Sequence, residues 1–234
     1  LGQLLWTVSR KDETDGRSDE SKSKRVEAEQ SLRRAVELAA PQPETWIALI
    51  QFLSNTNNLP AADKAILDAE KVIPREKSSL ALGQANELIG RTDRALTLYK
   101  RALEEQPSDP PTIQALASFY IKSNRIQDAK PLLDRLIELR APDAPWARRI
   151  LAIALSMEGR EREAIQALSF LNLPDDTDTS GLNDASIDDL RAKAQVYAQQ
   201  LNRDRRREAI RILESIGRRE RNRIDDLLLL GRLY

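Results

Sequence analysis

The chain has 234 residues, 41% apolar and 32% charged, a balance that supports a sizeable core beneath a well-solvated surface. Lys plus Arg equals Asp plus Glu at 37 each, so net charge argues neither for a polyanion partner nor for a membrane surface. With no Cys and no His, the composition excludes disulfides, thiolate metal sites and Cys nucleophiles, and removes the commonest general base and zinc ligand.

Taken in order, "LGQLL" at 1–5 reads as the tail of a helix, with no basic start and too short an apolar stretch for a secretory signal. The chain begins without Met, so the expectation is a segment of a longer repeat array, and targeting is not read from it. Nor does any apolar run approach the roughly 18 residues of a membrane span. "RKDETDGRSDESKSKR" at 10–25 mixes both charges without apolar period and reads as a flexible excursion before a helix carrying Ala28. "WIALIQFL" then sets Trp46, Leu49, Ile50 and Leu53 on one helical stripe.

From there the chain repeats itself. "NNLPAA" at 57–62, "GRTDRA" at 90–95, "NRIQDA" at 124–129, "GREREA" at 159–164 and "DRRREA" at 204–209 share a turn residue, polar residues and a closing alanine. The intervals between those alanines are 33, 34, 35 and 45, and Ala28 lies 34 before Ala62. Asn57, Gly90, Asn124, Gly159 and Asp204 lead the stretches, residue types that accept the left-handed backbone ending a helix. After each alanine an apolar stripe continues, for example Ile66 and Ala69 or Leu133 and Leu136. It runs on to Pro74, Pro107, Pro142 or Pro174, which stops the helix. Each unit therefore reads as helix, tight turn, helix. The alanine marks the crossing, where a larger side chain would cost about 1 to 3 kcal/mol in overpacking.

These residues resemble the tetratricopeptide repeats, whose signature runs W-x2-L-G-x2-Y, then A-x3-F-x2-A, then P. Trp46, Leu49, Leu53, Ala62, Ile66, Ala69 and Pro74 match its spacings, and Leu82 with Gly83 repeats the Leu-Gly pair. The resemblance implies an all-α, right-handed superhelical solenoid of stacked antiparallel helix pairs. It also implies that the whole chain forms one domain, with units near 1–42, 43–75, 76–109, 110–144, 145–176 and 187–223, and a partial unit at 224–234. "PDDTDTSGLNDAS" at 174–186 reads as an inserted acidic loop that accounts for the long interval. In the sixth unit Ile187, Leu190, Ala194, Tyr197 and Leu201 form a stripe about three residues out of register. Leu227, Leu230, Gly231 and Tyr234 take the Trp, Leu, Gly and Tyr places of a further first helix. Two readings stand for that helix: cover by further repeats or self-association, or a capping helix, which normally shows water a polar face.

The resemblance also places the first helix of each pair on a concave wall where solenoids bind peptides or partner helices. The inward positions it implies are Gln51 and Asn55, then Gln84, then Gln114, Ser118 and Lys122, then Arg149, then Arg191 and Gln195. Small Ala48, Ala81, Ala115 and Ala192 accompany amides that could bond a ligand backbone, and the other reading is a solvated face. The Lys-Asn carboxylate clamp of some family members is missing, since Ile47 with Gln51 and Leu80 with Gln84 stand in its place. Arg149 and Arg191 remain to meet an acidic group. Trp146 either anchors a partner at the groove edge or packs on the preceding loop. Residues 202–223 hold nine arginines against four acids, which gives a second reading as a helical-repeat RNA binder. No aromatic is interleaved for base stacking, so a solvated face or a match to the acidic loop competes with it. No catalytic motif, phosphate loop, metal spacing or cofactor signature is present, and the expectation is a non-catalytic interaction scaffold.

Overall fold

The computed structural model describes residue 7 and residues 18–171, 173, 185–221 and 223–234. Over them the chain is all-α, with twelve helices and no strand. The "LGQLL" segment, positions 10–17 of the charged stretch and positions 174–184 of the inserted loop lie outside the described residues. Two compact units divide the chain, Leu1–Phe119 and Tyr120–Tyr234.

The first unit holds α1 (Ser18–Leu38), α2 (Pro43–Asn55), α3 (Leu59–Val72), α4 (Arg75–Leu88), α5 (Thr92–Glu105) and most of α6 (Pro110–Lys122). Residues 18–25 are the opening turns of α1 and not part of an excursion. Pairs one turn apart such as Arg33 with Glu29 at 2.7 Å support the helix along its exposed face. Helix α2 packs on α1, α3 and α4, and α4 packs on α5. The core is the predicted stripe, with Leu49, Ile50 and Leu53 from α2 meeting Ala62, Ile66 and Ala69 from α3. Trp46 is anchored at its polar end, its indole Nε1 donating to the Ala40 carbonyl at 2.7 Å. Tyr99 of α5 packs its ring against α4 at Gly83. A Cβ on Gly83 would stand 2.9 Å from two atoms of its ring, which is why the Leu-Gly pair carries no side chain there. The Tyr99 hydroxyl donates to Glu87 at 2.6 Å, and burial together with that carboxylate pushes the phenol well above its ordinary pKa.

The second unit holds α7 (Ile126–Glu138), α8 (Ala144–Met157), α9 (Glu161–Leu168), α10 (Ile187–Ala198), α11 (Arg203–Arg219) and α12 (Ile224–Leu233). Helix α8 packs on α7, α9 and α10, and α10 packs on α11 and α12. Its core runs from Leu155 and Leu168 through Leu190, Val196 and Tyr197 to Ile212, Leu213 and Ile216.

Ala28, Ala62, Ala95, Ala129, Ala164 and Ala209 are all 0% exposed, as the crossing argument requires. Four of the expected turn residues have left-handed backbones: Asn57 at φ 56°, Gly90 at 78°, Asn124 at 56° and Gly159 at 75°. The fifth does not. Asp204 lies in the first turn of α11, which starts early because Asn202 caps it, its side chain accepting from the Asp204 and Arg205 backbone N–H groups. Leu201 also leaves the expected stripe, since α10 ends at Ala198 and Leu201 stands fully exposed. Helix α12 sets Leu229 and Leu230 partly buried against the core of the second unit. Asp226 and Leu233 are buried, while Leu227 and Leu228 are 53% and 57% exposed and Gly231 has open space around it.

Candidate functional site

A groove of about 460 Å³ opens in the first unit at the N-terminal ends of α2, α4 and α6. Three helix starts converge there because Pro43, Pro74 and Pro110 each fix the chain at or just before a first turn. Its floor is Ile47 of α2 with Leu80 and Ala81 of α4, and Gln84 stands one turn further along α4. The rim carries Glu44, Glu76, Lys77 and Asp109, and Pro111 and Thr112 close the far side. Two hydrogen bonds fix that side: Asp109 accepts from the Thr112 backbone N–H at 3.0 Å and from its hydroxyl at 2.6 Å. The Gln106 amide donates to the Glu76 carbonyl at 2.5 Å, tying the end of α5 to the start of α4.

Of the residues selected from sequence, the groove gathers Gln84, with the small Ala81 beside it. Gln51 and Asn55 are exposed further along α2, and Gln114 and Ser118 are half-buried on α6; none of these four lines the cavity. In the second unit Lys122 is exposed, and Trp146 and Gln195 are half-buried on α8 and α10. A smaller cavity of about 240 Å³ is lined by Ile121, Ile126, Ile150, Ile153 and Met157.

The two arginines expected to meet a ligand are engaged within the chain. Arg149 of α8 donates to Asp189 of α10 at 2.6 Å. Arg191 of α10 is 6% exposed, and its Nε donates to both carboxylate oxygens of Asp226 in α12, at 3.1 and 3.0 Å. A second nitrogen reaches Glu220 at 2.5 Å. Burial opposes the guanidinium charge, and these carboxylates more than offset it, holding its pKa above the ordinary value. Each pair links a first helix to the next first helix, so both arginines are struts. Sequence hid this because the partners are 40 and 35 residues away, and only the repeat length hints at them.

Four arginines of the arginine-rich stretch make contacts within the chain. Arg205 stacks on Tyr197 with 4.4 Å to the ring centre, and Arg206 donates to the Leu233 carbonyl at 2.8 Å and the Arg232 carbonyl at 3.2 Å. Arg219 donates to the Ala185 carbonyl at 2.9 Å, and Arg211 pairs with Glu208. These contacts do not favour the RNA reading. Among the described residues no helix is long and apolar enough to cross a membrane.

Tetratricopeptide repeat family models match residues 90–148 and 53–110. Cellulose synthase operon protein C of Pseudomonas fluorescens (strain SBW25) is 25% identical over 223 residues, 89% of this chain and 17% of that protein. A TPR repeat-containing protein of Dictyostelium discoideum is 28% identical over 135 residues, 54% of this chain and 51% of its own length. The chain thus spans about half or less of these relatives. Among solved structures, the Cut9–Hcn1 hetero-tetramer of APC/C superposes over 99% of this chain and 46% of that one, with a TM-score of 0.60 and 18% identity. Pseudomonas aeruginosa PilF covers 99% and 97%, with a TM-score of 0.57 and 13% identity. YrrB, a TPR protein with an unusual peptide-binding site, covers 84% and 96%, with a TM-score of 0.52 and 18% identity. Family proteins of this kind are in general non-catalytic scaffolds that bind protein partners. With the repeat alanines buried, four of the five turn residues left-handed and the family models matching across residues 53–148, the chain carries tetratricopeptide repeats over that stretch.

Proposed function

We propose that the groove at the starts of α2, α4 and α6 binds an extended peptide segment of a partner protein. The observation carrying this reading is the groove itself: about 460 Å³, apolar on its floor, with Gln84 able both to donate and to accept. Small Ala81 leaves the backbone of a ligand room to approach, and Gln51, Gln114 and Ser118 extend the polar row along the same helices. YrrB, whose structure carries an unusual peptide-binding site, supports the fold's capacity for this. The similarity to cellulose synthase operon protein C supports a setting in which that partner belongs to a cellulose synthase system.

The test is a hydrogen-exchange footprint of the chain with a peptide selected from a displayed random library. Slowed exchange is expected in α2 and α4, and Leu80→Glu should weaken binding by about tenfold or more. Protection confined to α3 and α5, with Leu80→Glu binding normally, would move the site off the groove.

A further inference from the structure

We infer that the groove of the first unit selects an extended segment of the pattern basic, apolar, basic. This rests on the peptide-groove reading above and adds the chemistry of the occupant. The floor supplies the apolar subsite, since Ile47 and Leu80 are half-buried on neighbouring helices with Ala81 between them. Above it stand Glu44, in the first turn of α2, and Glu76, in the first turn of α4, both exposed. Neither carboxylate forms an ion pair with a described residue, unlike Glu29, Glu37 and Glu105, which have arginine partners on their own helices. Asp109, the third acid of the rim, is occupied by Thr112. Lys77 is the single cation on the lining.

Spacing turns this charge into a pattern. Packed helices lie about 8 to 10 Å apart, so the two first-turn carboxylates are separated by about one helix diameter. An extended chain brings side chains back to the same side every two residues, about 6.7 Å. Long, flexible Lys or Arg side chains at positions i and i+2 make up the difference and reach both carboxylates. The residue between them then points the other way, onto Ile47 and Leu80. Each helix start contributes about half a positive charge. No hydrogen bond or ion pair with a described residue engages the Glu44 or Glu76 carboxylate, so two full negative charges face the groove against it.

The test uses the full chain and three fluorescein-labelled peptides, Gly-Ala-Lys-Leu-Lys-Ala-Gly and its Gln-Leu-Gln and Glu-Leu-Glu counterparts, followed by anisotropy. Exposed ion pairs contribute modestly, so the Lys peptide should bind about three- to tenfold more tightly than the Gln peptide, and the Glu peptide most weakly. The margin should shrink at about 0.5 M salt. Glu44→Gln with Glu76→Gln should erase it while leaving the affinity for the Gln peptide unchanged. Equal affinities for the Lys and Gln peptides, or a preference that survives the double substitution, would overturn the charge selectivity and leave the groove reading standing. Failure of all three to bind would remove both.

Discussion

Ser54 donates its hydroxyl to the backbone carbonyl of Leu88 at 2.7 Å, bridging α2 to the last residue of α4 exactly one 34-residue period later. Ser156 repeats the device in the second unit, donating to the Val196 carbonyl at 3.2 Å. A carbonyl at a helix end has no partner within its own helix, so the serine supplies one from the neighbouring repeat. Replacing Ser54 with Ala leaves a partly buried acceptor unpaired and should cost about 1 to 2 kcal/mol. Urea unfolding followed by circular dichroism measures this, and a midpoint unchanged from the parent would show that water replaces the hydroxyl at no cost.

Two glycines should respond in opposite directions. A methyl on Gly83 would press on the Tyr99 ring, which is 1% exposed and has little room to yield, so Gly83→Ala should destabilise by about 1 to 3 kcal/mol despite the better helix propensity of Ala. Gly231 has nothing within 4 Å, so Gly231→Ala should be neutral or stabilising by up to about 1 kcal/mol. Thermal melts of the two variants side by side decide it.

Gly90 isolates the backbone contribution. No atom lies within 4 Å of a Cβ placed there, yet its φ is 78°. Gly90→Ala should therefore cost about 1 kcal/mol from left-handed strain alone. Gly90→Asn should cost less, because Asn57 and Asn124 already occupy the same kind of turn at φ 56°. Equal melting temperatures for the Ala and Asn variants would refute that ordering.

The strut between α10 and α12 should be expensive to break and cheap to replace. Arg191→Met leaves Asp226, 5% exposed, without its cation and should cost about 3 kcal/mol, with faster hydrogen exchange in α12. Adding Asp226→Leu should recover most of the loss. A double-mutant cycle with no coupling between the two positions would show that they act independently.

How far this was legible in advance depended on the range of the interaction. Burial of Ala62, Ala95, Ala129 and Ala164, and the left-handed residues five positions earlier, follow from local pattern, and the structure reproduces them. The pattern failed at "DRRREA" because Asn202 caps α11 before the expected turn residue is reached, and four arginines in five residues conceal the start of a helix. At the groove, Gln84 and Ala81 are legible from repeat position, whereas nothing in the local pattern singles out Glu44 and Glu76. Arg191 looked like a ligand contact because an inward arginine and a strut arginine carry the same side chain. Only the placement of Asp226 one repeat away separates them.

The half-buried hydrogen bond between Tyr99 and Glu87 gives the first unit an alkaline limit. A free phenol ionises near its ordinary value of 10.0, whereas the packed one stays protonated well above it. Below that value the bond contributes its full share of stability. As the medium becomes more basic, the unfolded chain loses a proton that the folded chain keeps, and the balance tips toward unfolding. The phenolate absorbance that a Tyr99→Phe variant lacks should therefore rise together with the loss of helical ellipticity, so that this difference reports when α5 comes away from α4.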